Sequence, residues 1–293
     1  MNNHRITIAI ASGKGGTGKT LIATNLWQTL YNLQYEVVLV DCDAEEPNDN
    51  LFMKAGTQKA TDVMLRIPVI DESKCTYCGK CKEYCNYNAI FLLPALKNIQ
   101  VLEELCHGCG ACLVACQDDA ITEKEVLEGR VTRMGYNGTS TLVEAKLEVG
   151  RMSPVGVIKR AIKVVGKEGI VLLDAPPGTS CPFIQTAIAA DFVVLVTEPT
   201  PFGLSDLKQS VETLKIMNKP LGVIINRAGL GDDAVYQYLE SENIPLLLEI
   251  PFDKRIASHY SKGELLVQQM TQWQQSFMDM FNKIMNTYGN SHH

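Results

Sequence analysis

No stretch of this 293-residue chain stays apolar for the roughly 20 residues that a membrane helix needs, so no membrane span is expected. Basic residues are also few: 27 Lys and Arg stand against 33 Asp and Glu, a net charge of −6, with no basic block or stripe. That balance argues against nucleic acid as the main partner. A signal-peptide pattern is absent; the short apolar run near the N-terminus leads straight into a glycine-rich turn, and a cytoplasmic location is expected. Disulfides are rare in that compartment, so the 10 cysteines read as metal ligands. The length suffices for one large α/β domain or two smaller ones.

What is present begins with an apolar run, Ile6 to Ala11, a glycine-rich stretch, Ser12 to Thr20, and an amphipathic run, Leu21 to Leu33. The pattern predicts a strand, a tight turn and a helix start. Glycines let the backbone turn sharply and present its N–H groups as an anion nest at a helix N-terminus. Gly13 to Thr20 fits G-x-x-x-x-G-K-T in full, which makes Gly13, Gly15, Gly16, Thr17, Gly18, Lys19 and Thr20 the candidate phosphate-binding residues. In such a loop the lysine, Lys19, reaches the β- and γ-phosphates, and the Thr20 hydroxyl holds Mg²⁺. Lys14 places a second cation within the same turn.

Further apolar runs suit strands buried on both faces of a parallel sheet. Val37 to Val40 ends in Asp41-Cys42-Asp43, and Ile170 to Leu173 ends in Asp174-Ala175-Pro176-Pro177-Gly178. Phe192 to Val196 and Leu221 to Ile225 follow, the latter ending at Asn226. Carboxylates at the C-terminal ends of such strands lie at the ligand edge of the sheet. Asp174 is placed as a Walker-B-type residue, which would hold Mg²⁺ through water. Ser205 reads as the cap of a helix bearing Leu204, Leu207, Val211 and Leu214. Cys42 and Cys181 are expected to be packed small residues. Trp273, Phe277, Met280, Phe281, Ile284 and Tyr288 recur at helical spacing and predict a terminal helix packed on the core.

The remaining eight cysteines form a repeat. Cys75, Cys78, Cys81 and Cys85 have the spacing C-x2-C-x2-C-x3-C, and Cys106, Cys109, Cys112 and Cys116 reproduce it 31 residues later. Structural zinc sites use paired C-x-x-C knuckles, a different pattern. The spacing is that of the bacterial two-cluster ferredoxins, in which the fourth cysteine of each run serves the other cluster. Cys75, Cys78, Cys81 and Cys116 would then hold one [4Fe–4S] cluster, and Cys106, Cys109, Cys112 and Cys85 the second. The proline usual after the fourth cysteine is replaced by Asn86 and Gln117. His107 reads as a spacer.

Lys14-Gly15-Gly16-Thr17-Gly18-Lys19-Thr20 resembles the deviant P-loop of the MinD/Mrp/ParA ATPases and the nitrogenase iron protein. The resemblance implies that Lys14 is a signature lysine crossing a dimer interface to the partner's nucleotide. It implies that Asp43, in the switch I position, positions or activates the attacking water, with Asp41 near Mg²⁺. Asp174 to Gly178 resembles switch II, with Gly178 near the γ-phosphate, and Asn226 matches an adenine-contacting position. Ile250-Pro251-Phe252-Asp253 is similar to the base-flanking loop. No N-K-x-D guanine motif is present, so ATP is expected over GTP.

The expected fold is therefore α/β, a doubly wound, mostly parallel P-loop NTPase sheet carrying an inserted small α+β bacterial-ferredoxin domain. Residues 1–66 and 151–293 would form the ATPase, 67–128 the insert and 129–150 a connecting β-hairpin turning at Asn137-Gly138. The expected cofactors are ATP, Mg²⁺ and two [4Fe–4S] clusters. The leading functional expectation is an ATPase that gates electron transfer. The alternatives are an iron–sulfur or metal-cofactor assembly factor and a redox-sensing regulator like MinD or ParA. Expected partners are a second copy or a paralogue in an ATP-dependent dimer, and an unidentified redox protein.

Overall fold

A computed structural model describes residues 6–54, 56, 58–136, 140–165 and 169–290. In chain order the elements begin β1 (Ile6–Ala11), α1 (Lys19–Asn32), β2 (Val37–Asp41), α2 (Asn50–Met53) and β3 (Gln58–Ile70). Next come α3 (Lys80–Glu83), β4 (Ile90–Leu93), β5 (Asn98–Val101), α4 (Ala111–Ala115), β6 (Ile121–Tyr136) and β7 (Ser140–Leu147). Then follow α5 (Val155–Lys163), β8 (Ile170–Asp174), α6 (Cys181–Ala189), β9 (Phe192–Thr197), α7 (Pro201–Ile216) and β10 (Leu221–Ala228). The chain continues with α8 (Ala234–Ser241), β11 (Leu246–Pro251), α9 (Lys254–Ser261), α10 (Leu266–Gln269) and α11 (Gln272–Asn290).

The chain divides into two compact units. Residues 1–60, 131–146 and 158–293 form the first, and residues 61–130 and 147–157 the second. The divisions differ from the expected 66, 67–128, 129–150 and 151. Val131 to Lys146 belongs with the first unit because β7 pairs in parallel with β2, Val38 opposite Thr141 through Asp41 opposite Glu144. The Asn137-Gly138 turn lies outside the described residues.

The sheet runs β11-β10-β9-β1-β8-β2-β7-β6-β3. Every residue of β1, β8 and β9 is buried, as strands covered on both faces require. Register fixes the functional edge: Ile10 lies opposite Asp174, and Asp41 opposite Asp174. Neighbouring strands sit about 4.8 Å apart, so the two aspartates share one patch beside the turn that leaves β1. Helix α1 is not amphipathic as its sequence suggested; Leu21 to Leu30 are all buried, because α1 packs on the sheet and is covered by α10 and α11. Phe277, Met280, Phe281 and Ile284 of α11 enter that core as expected. Helix α7 is capped by Thr200, whose Oγ1 accepts the Gly203 N–H at 3.0 Å; Pro201 opens the helix, and Ser205 lies within it.

In the second unit, β4 and β5 form an antiparallel pair with Ile90 opposite Val101 and Leu92 opposite Ile99. Ile90, Leu92, Ile99, Cys81 and Cys112 make a small core. The sequence repeat reappears in the backbone. Positive φ angles occur at Tyr77 and Gly108, Gly79 and Gly110, and Asn88 and Asp119, each pair 31 residues apart. Two copies of one loop-and-helix unit are thus folded alike.

Candidate functional site

The turn after β1 is held open by short-range polar contacts. Ser12 Oγ donates to Lys14 O at 2.5 Å and accepts from Lys19 Nζ at 3.2 Å. Asn226 Nδ2 donates to Thr17 O at 2.8 Å, tying the turn to the end of β10. Gly18 has φ of 101°, and a Cβ there would lie 2.5 Å from Asn226 Nδ2, so only glycine fits without displacing that bond. Gly178 N–H donates to Ser12 O at 3.0 Å and brings the β8 loop to the same turn. Thr17 Oγ1 is buried with no hydrogen-bond partner. Gly13 and Lys14 are partly exposed, while Gly15 and Gly16 face solvent.

Carboxylates gather behind this turn. Thr20 Oγ1 donates to Asp174 Oδ2 at 2.7 Å, which leaves the hydroxyl lone pairs for a cation. Asp174 is buried and its carboxyl is pushed up to about 6, mainly by burial, with Lys19 and Thr20 opposing. Asp41 accepts backbone N–H groups from Asp43, Asn48 and Asp49 at 3.1, 2.8 and 3.0 Å, which fixes the loop after β2. Burial and Asp174 nevertheless hold the Asp41 pKa well above the usual range. Asp43 is half-buried and raised by burial, with Lys19 as the largest opposing influence. Lys19 itself is lowered by burial and supported by the charges of Asp174 and Asp43. The lysine, Thr20, Asp43 and Asp174 therefore converge as expected.

A crevice of about 190 Å³ adjoins the turn, lined by Gly18, Asn226, Pro251, Phe252, Ile256 and Tyr260 among others. Its apolar walls and the Asn226 amide suit a flat heterocycle. Lys14 Nζ is not free: it pairs with Glu198 Oε2 at 3.5 Å. Glu198 also holds Arg227 Nη1 at 2.5 Å, and Arg227 Nη2 donates to Gly16 O at 3.3 Å.

The second unit has two hollows. One is lined by Cys75, Cys78, Cys81 and Cys116 with Tyr77 and Lys80. The other is lined by Cys106, Cys109, Cys112 and Cys85 with Tyr87 and His107. Side chains fasten the exchange of fourth cysteines. Thr76 Oγ1 donates to Asp118 Oδ2 at 2.6 Å and Lys80 Nζ to Gln117 Oε1 at 2.7 Å, drawing the Cys116 loop to the first run. Gln117, where proline is usual, supplies this tie. Tyr87 stacks on His107 with centroids 3.8 Å apart, drawing the Cys85 loop to the second run. Tyr77 N–H donates to Cys75 Sγ at 3.4 Å, and Gly108 N–H to Cys106 Sγ at 3.5 Å. Among the described residues no three His, Cys, Asp or Glu side chains converge closely enough to hold a single metal ion. The sulfurs are instead spread around the two hollows.

Residues 8–267 match the CobQ/CobB/MinD/ParA nucleotide binding domain. The chain belongs to this family. It is 32% identical over 269 residues to an uncharacterized protein of Methanocaldococcus jannaschii, MJ0579, covering 88% of this chain and 90% of the relative. It is 26% identical over 278 residues to an iron-sulfur cluster carrier protein of Aquifex aeolicus, covering 89% of this chain and 61% of the carrier. The septum site-determining protein MinD complexed with Mg-ADP from Pyrococcus horikoshii shares the fold, with a TM-score of 0.57, 20% identity and 94% of each chain covered.

Family membership makes the turn after β1 a nucleotide-binding P-loop and the sheet a mostly parallel P-loop fold. Sequence reasoning missed Asp49, Glu198 and Arg227 within this site. Only the strand-end position of Glu198 and Arg227 hinted at them. Cys181, expected to pack, is exposed at the first residue of α6. Cys42 is buried as expected, and burial pushes its thiol well up.

Proposed function

We propose that this chain is a Mg²⁺-dependent ATPase that gates electron transfer through two [4Fe–4S] clusters. The observation that carries the reading is the pair of four-cysteine hollows, each completed by the fourth cysteine of the other run. That exchange is what a two-cluster ferredoxin requires. A site for one zinc would need its sulfurs gathered on a single point. Clusters held there would supply one-electron redox chemistry.

ATP with Mg²⁺ suits the other unit. The unpartnered Thr17 Oγ1 and Asp174 Oδ1 are a donor and an acceptor awaiting ligands, and the crevice beside Asn226 accepts a base. Lys19 would neutralise the phosphates and Thr20 would ligate the cation. Asp43 would orient the attacking water and accept its proton; its raised pKa favours proton uptake. Gly178 would follow the γ-phosphate. Lys14 would leave Glu198 and reach across to the nucleotide of a second copy or a paralogue.

A second reading, cofactor assembly, is favoured by the similarity to the Aquifex aeolicus carrier. Analysis of anaerobically isolated protein should give about eight irons and eight sulfides per chain. Stoichiometric zinc without iron sinks both readings. Redox titrations with no nucleotide, ADP and a non-hydrolysable ATP analogue then test gating. Tenfold tighter ATP binding by one redox state shifts a one-electron potential by about 59 mV. Potentials equal in all three states, together with cluster transfer to an apo-acceptor, would favour assembly.

A further inference from the structure

Asp49 is completely buried at the N-cap position of α2, where an aspartate ordinarily accepts a backbone N–H of the first turn. Here it caps nothing: neither carboxylate oxygen accepts an N–H or O–H from the rest of the chain. The Asp49 N–H donates to Asp41 Oδ2 at 3.0 Å, which anchors the residue beside the strand-end carboxylates. Its carboxyl is in hydrogen-bonding contact with that of Asp174, whose Oδ1 is likewise buried and accepts no N–H or O–H. Asp41 differs, since three backbone N–H groups already satisfy it. Asp49 Oδ1, Asp49 Oδ2 and Asp174 Oδ1 are thus three buried oxygens that accept no N–H or O–H, gathered near the Thr20 hydroxyl that donates to Asp174 Oδ2.

Two buried carboxylates in contact are strongly unfavourable unless a cation or a proton lies between them. Lys19 does not fill this role for Asp49, because its Nζ is directed to Ser12 Oγ and its charge is felt at Asp174 and Asp43. We propose that Asp49 joins Asp174 as a second carboxylate of the divalent-cation site, so that the chain binds the cation before nucleotide arrives. Hard oxygen donors suit Mg²⁺ or Mn²⁺, and Mg²⁺ sites use one or two carboxylates with several retained waters. The inference rests on the nucleotide-binding reading of this unit and not on the clusters.

The test is equilibrium dialysis of Mn²⁺ against the full, anaerobically kept chain without nucleotide, alongside ADP titrations with and without Mn²⁺. Wild type should take up one Mn²⁺. Asp49→Asn and Asp49→Ala should bind it at least tenfold more weakly, and Asp279→Asn, on the exposed face of α11, as wild type does. The amide of Asp49→Asn can still donate to Asp174, so that metal-free variant should resist urea as well as wild type. ADP affinity in EDTA should be unchanged by Asp49→Asn, while its enhancement by Mn²⁺ drops at least tenfold. If Asp49 merely shares a proton with Asp174, the asparagine amide can replace that donor, and Mn²⁺ affinity will stay within twofold of wild type; that result overturns the proposal. So does absence of nucleotide-free Mn²⁺ binding in wild type. Failure of wild type to bind ADP at all would instead overturn the nucleotide reading.

Discussion

Alanine substitutions at Gly15, Gly16 and Gly18 should change stability in graded steps, from a small gain to a clear loss, because each position adds one physical cost to the one before. Gly15 has open space where a Cβ would stand and a φ outside the left-handed region. Alanine there only restricts the unfolded chain, which stabilises by about 0.4–1 kcal/mol. Gly16 also has open space, but its φ is 78°. A Cβ in that region costs about 1–2 kcal/mol, so the net loss is on the order of 1 kcal/mol. At Gly18, φ is 101° and the Cβ would approach Asn226 Nδ2 to 2.5 Å. The strain recurs and the Asn226–Thr17 bond of 2.8 Å is lost as well. Breaking that bond adds about 0.5–1.5 kcal/mol, giving a net cost of about 2 kcal/mol. Urea unfolding without nucleotide isolates this term from phosphate binding. Trp27 and Trp273, the only two tryptophans, both lie in the nucleotide-binding unit and report its unfolding. With a slope of about 3 kcal/mol per M, Gly18→Ala should lower the midpoint by ~0.7 M and Gly15→Ala should not lower it at all. Equal losses at Gly15 and Gly18 would refute the steric account.

Acidity should matter in a defined direction. Asp174 is raised to about 6 by burial, so its contribution is fully present below the unfolded pKa and is lost as pH rises from about 4 through 6. Between pH 5 and 8 the metal-free chain should lose on the order of 1 kcal/mol that Asp174→Asn does not lose, read from the same urea curves. Lys19→Ala should abolish nucleotide binding by calorimetry, whereas Lys14→Ala should retain it and weaken ATP-dependent dimers in light scattering; normal dimers and hydrolysis in Lys14→Ala would remove its trans role. Asp43→Ala should keep ADP affinity and lower kcat by about 10²–10⁴-fold, and an unchanged turnover would reassign it to holding the loop. Cys116→Ser should perturb the cluster of the first cysteine run and Cys85→Ser that of the second, seen as loss of different EPR signals; loss of the same signal in both would break the exchanged assignment.

The central strands were legible because burial on two faces demands uninterrupted apolar runs, and few other structures do. Ile170 to Asp174 and Phe192 to Thr197 form strands as their composition dictates. The α1 helix misled for the opposite reason. Asn25, Gln28 and Thr29 look like a polar face, yet all are buried. Asn25 Nδ2 returns to Leu21 O at 2.7 Å, and its Oδ1 accepts Val267 N–H at 2.9 Å, so polar side chains serve as joints to α10. Periodicity cannot distinguish a solvated amide from a bonded one. The domain boundaries shifted for a similar reason: the pairing of β7 with β2 is a contact between distant residues, which local composition does not encode.

The candidate site divides along the same line. Motif residues were legible because their chemistry is local: a glycine turn, a lysine and a threonine bind phosphate wherever the turn forms. The grouping of the cysteines around two hollows was also legible, although it is long-range, because a 31-residue repeat carries its own register. The residues that were missed act only through distant partners. Glu198 reads as an acidic strand end, yet it holds Lys14 at 3.5 Å and Arg227 at 2.5 Å. If Lys14 serves a second subunit as proposed, the carboxylate that retains it must first release it, and Arg227 would remain to neutralise Glu198. Asp49 sits where a helix cap belongs, and sequence therefore supplies an innocent role. Only the missing cap bond and the contact with Asp174 show that the cap was given up, and two buried carboxyls in contact need a proton or a cation between them.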